Sequence, residues 1–173
     1  YRQGRRDFFK TLTALGAAAV PIVPAWGSRF VHAANAAADP KIGTAYDPAA
    51  TFAIKVSEVE LRRTAAGRML MARIYQPEGS GPFPTMLDLH GGAWNGKDRF
   101  AEEPMDRALA GSGVLVVAID MTLAPEAPYP ACVQDANYAV RWLKSKAASW
   151  NGDPSKIGIY GSSSGGHVAE LLA

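Results

Sequence analysis

Apolar and polar residues alternate from Phe52 to Leu61 (Phe52-Ala53-Ile54-Lys55-Val56-Ser57-Glu58-Val59-Glu60-Leu61), the period of a strand with one face buried. Thr64-Ala65-Ala66-Gly67 reads as a turn, and alternation resumes from Met69 to Tyr75, so the two stretches predict an antiparallel hairpin. Gly79-Ser80-Gly81-Pro82 separates the hairpin from a further strand, Pro84-Thr85-Met86-Leu87-Asp88-Leu89. A helix follows from about Phe100 to Ala110, closed by Gly111. Val114-Leu115-Val116-Val117-Ala118-Ile119 is apolar without a break, as expected of a parallel strand covered on both faces. From Ala131 to Trp150 the pattern is helical. Val133, Ala136, Val140, Leu143 and Ala147 form one core stripe, and Tyr138 and Trp142 lie off it as packing residues. After the turn Asn151-Gly152-Asp153-Pro154, the β-formers Ile157, Ile159 and Tyr160 predict a short buried strand, and Val168 to Ala173 has helix composition. A hairpin first, then alternating strands and helices, predicts an α/β fold whose mostly parallel sheet has antiparallel early strands.

Between that last strand and helix lies Gly161-Ser162-Ser163-Ser164-Gly165, which fits G-x-S-x-G. A sharp turn there lifts one hydroxyl above the sheet edge, and glycines flank it because a Cβ would collide with neighbouring backbone. Only Ser163 has glycine two residues away on both sides, so Ser163 is the candidate nucleophile. Taken alone the motif also fits an ordinary glycine-serine turn. Upstream, however, the strand ending at Leu89 runs into His90-Gly91-Gly92-Ala93-Trp94, a glycine loop whose backbone N–H groups can bind an oxyanion.

Charge changes meaning along the chain. The whole sequence has 18 basic and 16 acidic residues, a formal net charge of +2. The opening segment holds Arg2, Arg5, Arg6, Lys10 and Arg29 against Asp7 alone, then an apolar run from Thr11 to about Val23 and the small-residue pattern Ala34-Asn35-Ala36. Charged region, apolar region and cleavage pattern predict a signal peptide over residues 1–36. Arg5-Arg6-x-Phe8-x-Lys10 resembles the twin-arginine signal of bacteria, which implies the twin-arginine translocation machinery as a partner and a periplasmic or secreted destination. The apolar run is too short to span a bilayer and is broken by Pro21 and Pro24, so no membrane association is expected after cleavage. The remaining residues carry 13 basic against 15 acidic groups, a net of −2, so the apparent basicity is no argument for nucleic-acid binding. One cysteine, Cys132, excludes an internal disulfide and a cysteine-rich metal site. Residues 37–51 read as an alanine- and proline-containing linker.

The glycine loop at His90 to Trp94, the stretch Asp120-Met121-Thr122-Leu123-Ala124-Pro125-Glu126, Tyr129-Pro130-Ala131 with Asp135, and the serine turn together resemble the α/β-hydrolases. More narrowly they resemble esterases related to hormone-sensitive lipase and the feruloyl-esterase-like (BD-FAE-like) group, over roughly residues 52–173. The chain departs from that pattern at Ala93, the usual third glycine of the loop, and at Met121-Thr122, where Tyr-Arg is usual. The turn reads Gly-Ser-Ser-Ser-Gly-Gly-His where Gly-Asp-Ser-Ala-Gly-Gly is commoner; a histidine at the position of His167 occurs in the feruloyl-esterase-like branch. The resemblance implies a serine hydrolase that cleaves small-molecule carboxylic esters through an acyl-enzyme. Ser163 would be its nucleophile, the N–H groups of Gly91, Gly92, Ala93 and Ser164 its oxyanion hole, and His90 a brace for the loop. No cofactor or metal is implied. An amide or formamide hydrolase or peptidase of the same fold, or a catalytically silent binding protein, are the alternatives.

In this fold the acid and the histidine follow the serine in the chain. After Ser163 the sequence offers only His167 and Glu170, and His167 sits in the same helix's first turn, unable to swing back to the serine. His32 belongs to the signal segment. Residues 52–173 are therefore expected to be the N-terminal part of the domain, with the C-terminal part, its acid and its histidine missing. For export, changing Arg5 and Arg6 to lysine should abolish the signal from a reporter that is active only when translocated folded. Equal signal from both versions would leave an ordinary secretory signal.

Overall fold

The computed structural model describes residues 49–173. The expected signal peptide and most of the linker lie outside the described residues. Strand β1 (Ile54–Arg63) and β2 (Met69–Pro77) form the hairpin, antiparallel from Ile54 opposite Pro77 to Arg63 opposite Met69. Next come β3 (Phe83–Leu89), α1 (Glu103–Gly111), β4 (Leu115–Ile119), α2 (Ala131–Lys146), β5 (Gly152–Gly161) and α3 (Ser164–Glu170). The strands lie in the order β1-β2-β4-β3-β5, with β2 antiparallel to β4 and β3 parallel to both β4 and β5. Antiparallel early strands leading into a parallel sheet is the arrangement the residue pattern predicts.

Both faces of the sheet are covered, which explains the unbroken apolar run in β4. Leu115, Val117 and Ile119 point into one core with Leu70, Ile74, Leu87 and Leu89 of the sheet, Ala136, Ala139 and Leu143 of α2, and Val168 of α3. Val116 and Ala118 point the other way, into a smaller core with Tyr75 and Ala110, against which Met86, Leu109 and Tyr160 pack. All five β4 residues are inaccessible to solvent. Each large one contributes about 1.5–3 kcal/mol of burial free energy.

Several boundaries differ from the sequence expectation. Helix α1 begins at Glu103, not Phe100, because Pro104 lacks an N–H and fits only the first turn. Gly111 is its last helical residue, and the left-handed residue that ends the turn is Gly113, at φ 92°. Helix α2 stops at Lys146; Ala147–Trp150 tightens into a 3₁₀ turn that Asn151 ends at φ 60°. The buried side of α2 is rotated towards Cys132, Asp135, Ala136, Ala139, Leu143 and Ala147, leaving Val133 and Val140 half-buried. Most of the side chains on that buried side are small. Trp142 and Tyr138 pack, as expected, against Trp150 (centroids 5.6 Å apart) and under the Arg62 guanidinium at 5.0 Å.

Strand β5 begins earlier than expected, at Gly152, paired with Phe83. A Cβ at Gly152 would run into Leu115 and the Thr85 hydroxyl, so glycine is needed where this strand enters the sheet. Pairing resumes only at Ile157 opposite Thr85, and the intervening residues bulge out around Asp153, which accepts from the Ser155 N–H at 2.9 Å and its hydroxyl at 2.6 Å. Ile157, Ile159 and Tyr160 are half-buried, not buried, because β5 is an edge of the described sheet. Helix α3 starts at Ser164 and ends at Glu170, displaced towards the N-terminus from Val168–Ala173.

One charged knot fixes the loop after β3 to the sheet. Asp120, just past β4 and 6% exposed, accepts from the Arg99 guanidinium at 3.0 and 3.2 Å, the Arg99 N–H at 3.2 Å and the Met71 N–H at 3.0 Å. Arg99 also reaches Glu58 of β1 at 2.8 Å. Asp120→Ala would leave the largely buried Arg99 guanidinium with Glu58 alone and two N–H groups without their acceptor, and should cost about 3 kcal/mol of folding free energy in urea denaturation. A loss below about 1 kcal/mol would show that the knot is a solvated surface pair.

Candidate active site

Only two residues, Ser162 and Ser163, separate the end of β5 from the start of α3. Ser163 has φ 50° and ψ −118°, a conformation rare outside glycine that persists only where surrounding contacts hold it. Those contacts are backbone against backbone. A Cβ on Gly161 would overlap Gly165, and one on Gly165 would overlap the carbonyl oxygens of Leu89 and His90 at the end of β3. The turn is closed by the Gly165 N–H donating to the Ser162 carbonyl at 2.8 Å, and the His167 N–H reaches the Ser163 carbonyl at 3.3 Å. The three serines are thereby distinguished. Ser162 is half-buried and donates its hydroxyl to Glu102 at 2.6 Å; Ser164 is buried. Ser163 is exposed, and its hydroxyl has no hydrogen-bond partner among the described residues.

The glycine loop lies directly alongside. His90 is buried and donates from Nδ1 to the Gly91 carbonyl at 2.7 Å; its Nε2 has no partner among the described residues. A Cβ on Gly91 would stand 3.0 Å from the Ser162 hydroxyl and 3.4 Å from the Ser163 Cβ. Gly92 has φ 115°, and its carbonyl accepts from Asn95 at 3.1 Å and Gly96 at 3.0 Å; Ala93 and Trp94 follow at φ 52° and 60°. The Gly91 and Gly92 carbonyls are used, while the N–H groups of Gly91, Gly92 and Ala93 donate to no described acceptor. The same holds for Ser164, whose N–H is an unpaired donor of the first turn of α3.

His167 is exposed, and its ring meets the Trp94 ring edge-to-face at 5.6 Å. Both rings line a cavity of about 160 Å³ together with Pro128, Tyr129 and Val133. Packing against Trp94, not hydrogen bonding to the serine, is what places the His167 side chain.

Beneath the turn sits a group of carboxyls that the sequence pattern does not reveal. Tyr160 donates its hydroxyl to Asp106 of α1 at 2.6 Å. Asp88 of β3 is level with Tyr160 in the parallel register, is 1% exposed, and has no partner for either oxygen among the described residues. Burial, reinforced by the charges of Asp106 and Glu102, pushes the Asp88 carboxyl up to about 8. Burial likewise raises Asp106 to about 6, against the opposing effect of the Tyr160 hydrogen bond. The available sequence signal was an acid inside an otherwise apolar strand, Met86-Leu87-Asp88-Leu89. Glu102 and Asp106 had none, since their partners lie 60 and 54 residues away.

Solved esterases share this architecture. The esterase of the archaeon Pyrobaculum calidifontis superposes with a TM-score of 0.62 at 31% identity, covering 68% of this chain and 37% of its own. With the strand order and the serine turn after β5, this makes the fold that of an α/β-hydrolase. Within that class the chain belongs to the BD-FAE family, whose model matches residues 73–173. Among curated relatives, the carboxylesterase NlhH of Mycobacterium tuberculosis is 41% identical over 91 residues, 52% of this chain and 28% of its own length. The carboxylic ester hydrolase LipN of the same organism is 31% identical over 121 residues, 69% of this chain and 32% of its own. The chain thus spans about a third of the length of the curated relatives it matches.

The buried carboxyl has a measurable signature. An unfolded aspartate loses its proton near pH 4, whereas Asp88 in the folded chain holds it to about 8. Between those values the folded state binds more protons, so this group's contribution to stability falls as pH rises. Asp88→Asn keeps the shape without the titration. From about pH 5 to about pH 8, the melting temperature of the wild type should therefore decline relative to that of Asp88→Asn. A pH-independent difference between the two would show that Asp88 is ionised throughout.

Proposed function

We propose that the protein hydrolyses carboxylic esters of small molecules through an acyl-enzyme on Ser163. The observation that carries this is the contact between the two motifs. The strained, exposed serine and the unpaired N–H groups of the glycine loop meet at Gly91, against Ser162 and Ser163. That is the pairing acyl transfer requires, a nucleophile beside donors that hold negative charge as it develops. The relatives named for carboxylic ester hydrolysis support the same chemistry.

In the first step the Ser163 oxygen attacks the ester carbonyl carbon as its proton passes to a general base. Charge then develops on the carbonyl oxygen, next to the N–H groups of Gly92, Ala93 and Ser164, with Gly91 close by. Collapse expels the alcohol, which takes up the proton, and leaves the acyl group on Ser163. Water repeats the sequence and releases the acid. His90 serves the loop through its bond to the Gly91 carbonyl, and His167 is held against Trp94. We assign the base to a histidine, oriented by an aspartate or glutamate, outside the described residues. Export through the N-terminal segment would put this activity in the periplasm or outside the cell.

In the full-length protein, Ser163→Ala should lower kcat on a short-chain nitrophenyl ester by roughly 10⁶-fold. Ser164→Ala should cost little, because alanine keeps the N–H. Gly92→Pro deletes a donor and should cost about 10²–10³-fold. Fluorophosphonate labelling with peptide mapping reads the same assignment directly: label on Ser162 or Ser164, or full activity in Ser163→Ala, would overturn it.

A further inference from the structure

Helix α1 and the end of β5 are joined by two acid–hydroxyl hydrogen bonds. Glu102 accepts from Ser162 and Asp106 accepts from Tyr160, both at 2.6 Å. Glu102 is the residue just before α1 and Ser162 the residue just after β5, so this bond joins the two elements at their ends, while Asp106 and Tyr160 join them again within the helix and the strand. Glu102 is itself fixed at the start of α1, where its carbonyl accepts from the Met105 N–H at 2.9 Å and the Asp106 N–H at 3.0 Å.

The upper of the two bonds ends at the site. The Ser162 hydroxyl lies 3.0 Å from where a Gly91 Cβ would be, and Ser162 immediately precedes the strained Ser163. Its oxygen thus sits between the nucleophile turn and the loop of unpaired N–H groups. A hydroxyl free to rotate there could bond either segment; one committed to an acid from a third element leaves both in place.

We propose that Glu102 is a positioning residue for the nucleophile turn and the adjoining glycine loop, acting through the Ser162 hydroxyl. Its activity readout rests on the ester-hydrolase function proposed above. Two features make it testable beyond a general structural role. The bond is charge-assisted and directional, so its donor and acceptor can be exchanged. Ser162 is also so close to Glu102 that a second carboxylate cannot share the space without repulsion.

The experiment uses the full-length protein with Glu102→Ala, Glu102→Gln, Ser162→Asp and the double variant Ser162→Asp/Glu102→Gln. Each is assayed for kcat and KM on a short-chain nitrophenyl ester well below its melting temperature. Glu102→Ala should lower kcat roughly 10- to 100-fold with KM changed less than about threefold, the range set by losing a hydrogen bond to a charged acceptor. Glu102→Gln, which keeps an acceptor oxygen, should lose less. Ser162→Asp should lose at least about tenfold, since two carboxylates would face each other. Adding Glu102→Gln should restore kcat to within about threefold of wild type, the amide now donating to the new carboxylate. Glu102→Ala within twofold of wild type, or a double variant no better than Ser162→Asp alone, would overturn the proposal. Melting temperatures of the same set give an independent cycle: Ser162→Asp should lower the midpoint and Glu102→Gln should recover it, whereas additive changes would also overturn the proposal. A wild type that turns over no ester would remove the hydrolase assignment instead, and the melting-temperature cycle would then decide on Glu102 alone.

Discussion

The site depends on how closely two backbones approach each other. Gly165, in the first turn of α3, lies so near the last carbonyls of β3 that no side chain fits between them. That approach fixes the angle at which the chain leaves β5, and the angle forces Ser163 to positive φ. A single methyl group at position 165 would push α3 away from the sheet and relax the turn. The strain at Ser163 and the glycine at 165 are thus one constraint seen from two residues. The sheet below has to resist it, which it does by being buried on both faces from Leu115 to Ile119.

Around this contact, polar groups hold what packing alone would leave loose. Asp120 ties the loop after the glycine turn to β2 and β4 through four hydrogen bonds from Arg99 and Met71. Glu102 and Asp106 tie α1 to the strand that delivers the serine. The elements that carry the site are thereby cross-linked to parts of the sheet far away in sequence. Burying so many carboxyls raises the cost of ionising them. Asp88, with neither oxygen partnered among the described residues, resolves that cost by keeping its proton.

Much of this was legible in the residue order, and the part that was not has a physical pattern. The hairpin showed itself because β2 buries, and β1 half-buries, alternate residues, while β4 showed its double coverage as an apolar run. The glycine rule separated Ser163 from its neighbours because steric exclusion acts over two residues and is written locally. In α2 the expected stripe is the core side, but its centre is turned towards Ala136, Ala139 and Cys132, and the larger valines Val133 and Val140 are half-buried against the same core. Periodicity weighs hydrophobicity, but close approach selects for small size. The acid–hydroxyl pairs were invisible, since nothing at Glu102 announces a serine 60 residues later.

Strand β3 holds both halves of the candidate site. It ends in the glycine loop, and its final carbonyl is the wall against which Gly165 rests. Breathing of the sheet that carries β3 along its own direction therefore carries the N–H groups and the serine turn together. For the distance between the Ser163 turn and those N–H groups, such a motion is a common-mode displacement, and it cancels. Sliding of β5 relative to β3 is the differential mode, the one that would change the spacing within the candidate site. The parallel register from Thr85 opposite Ile157 to Leu89 opposite Gly161 opposes that mode rung by rung.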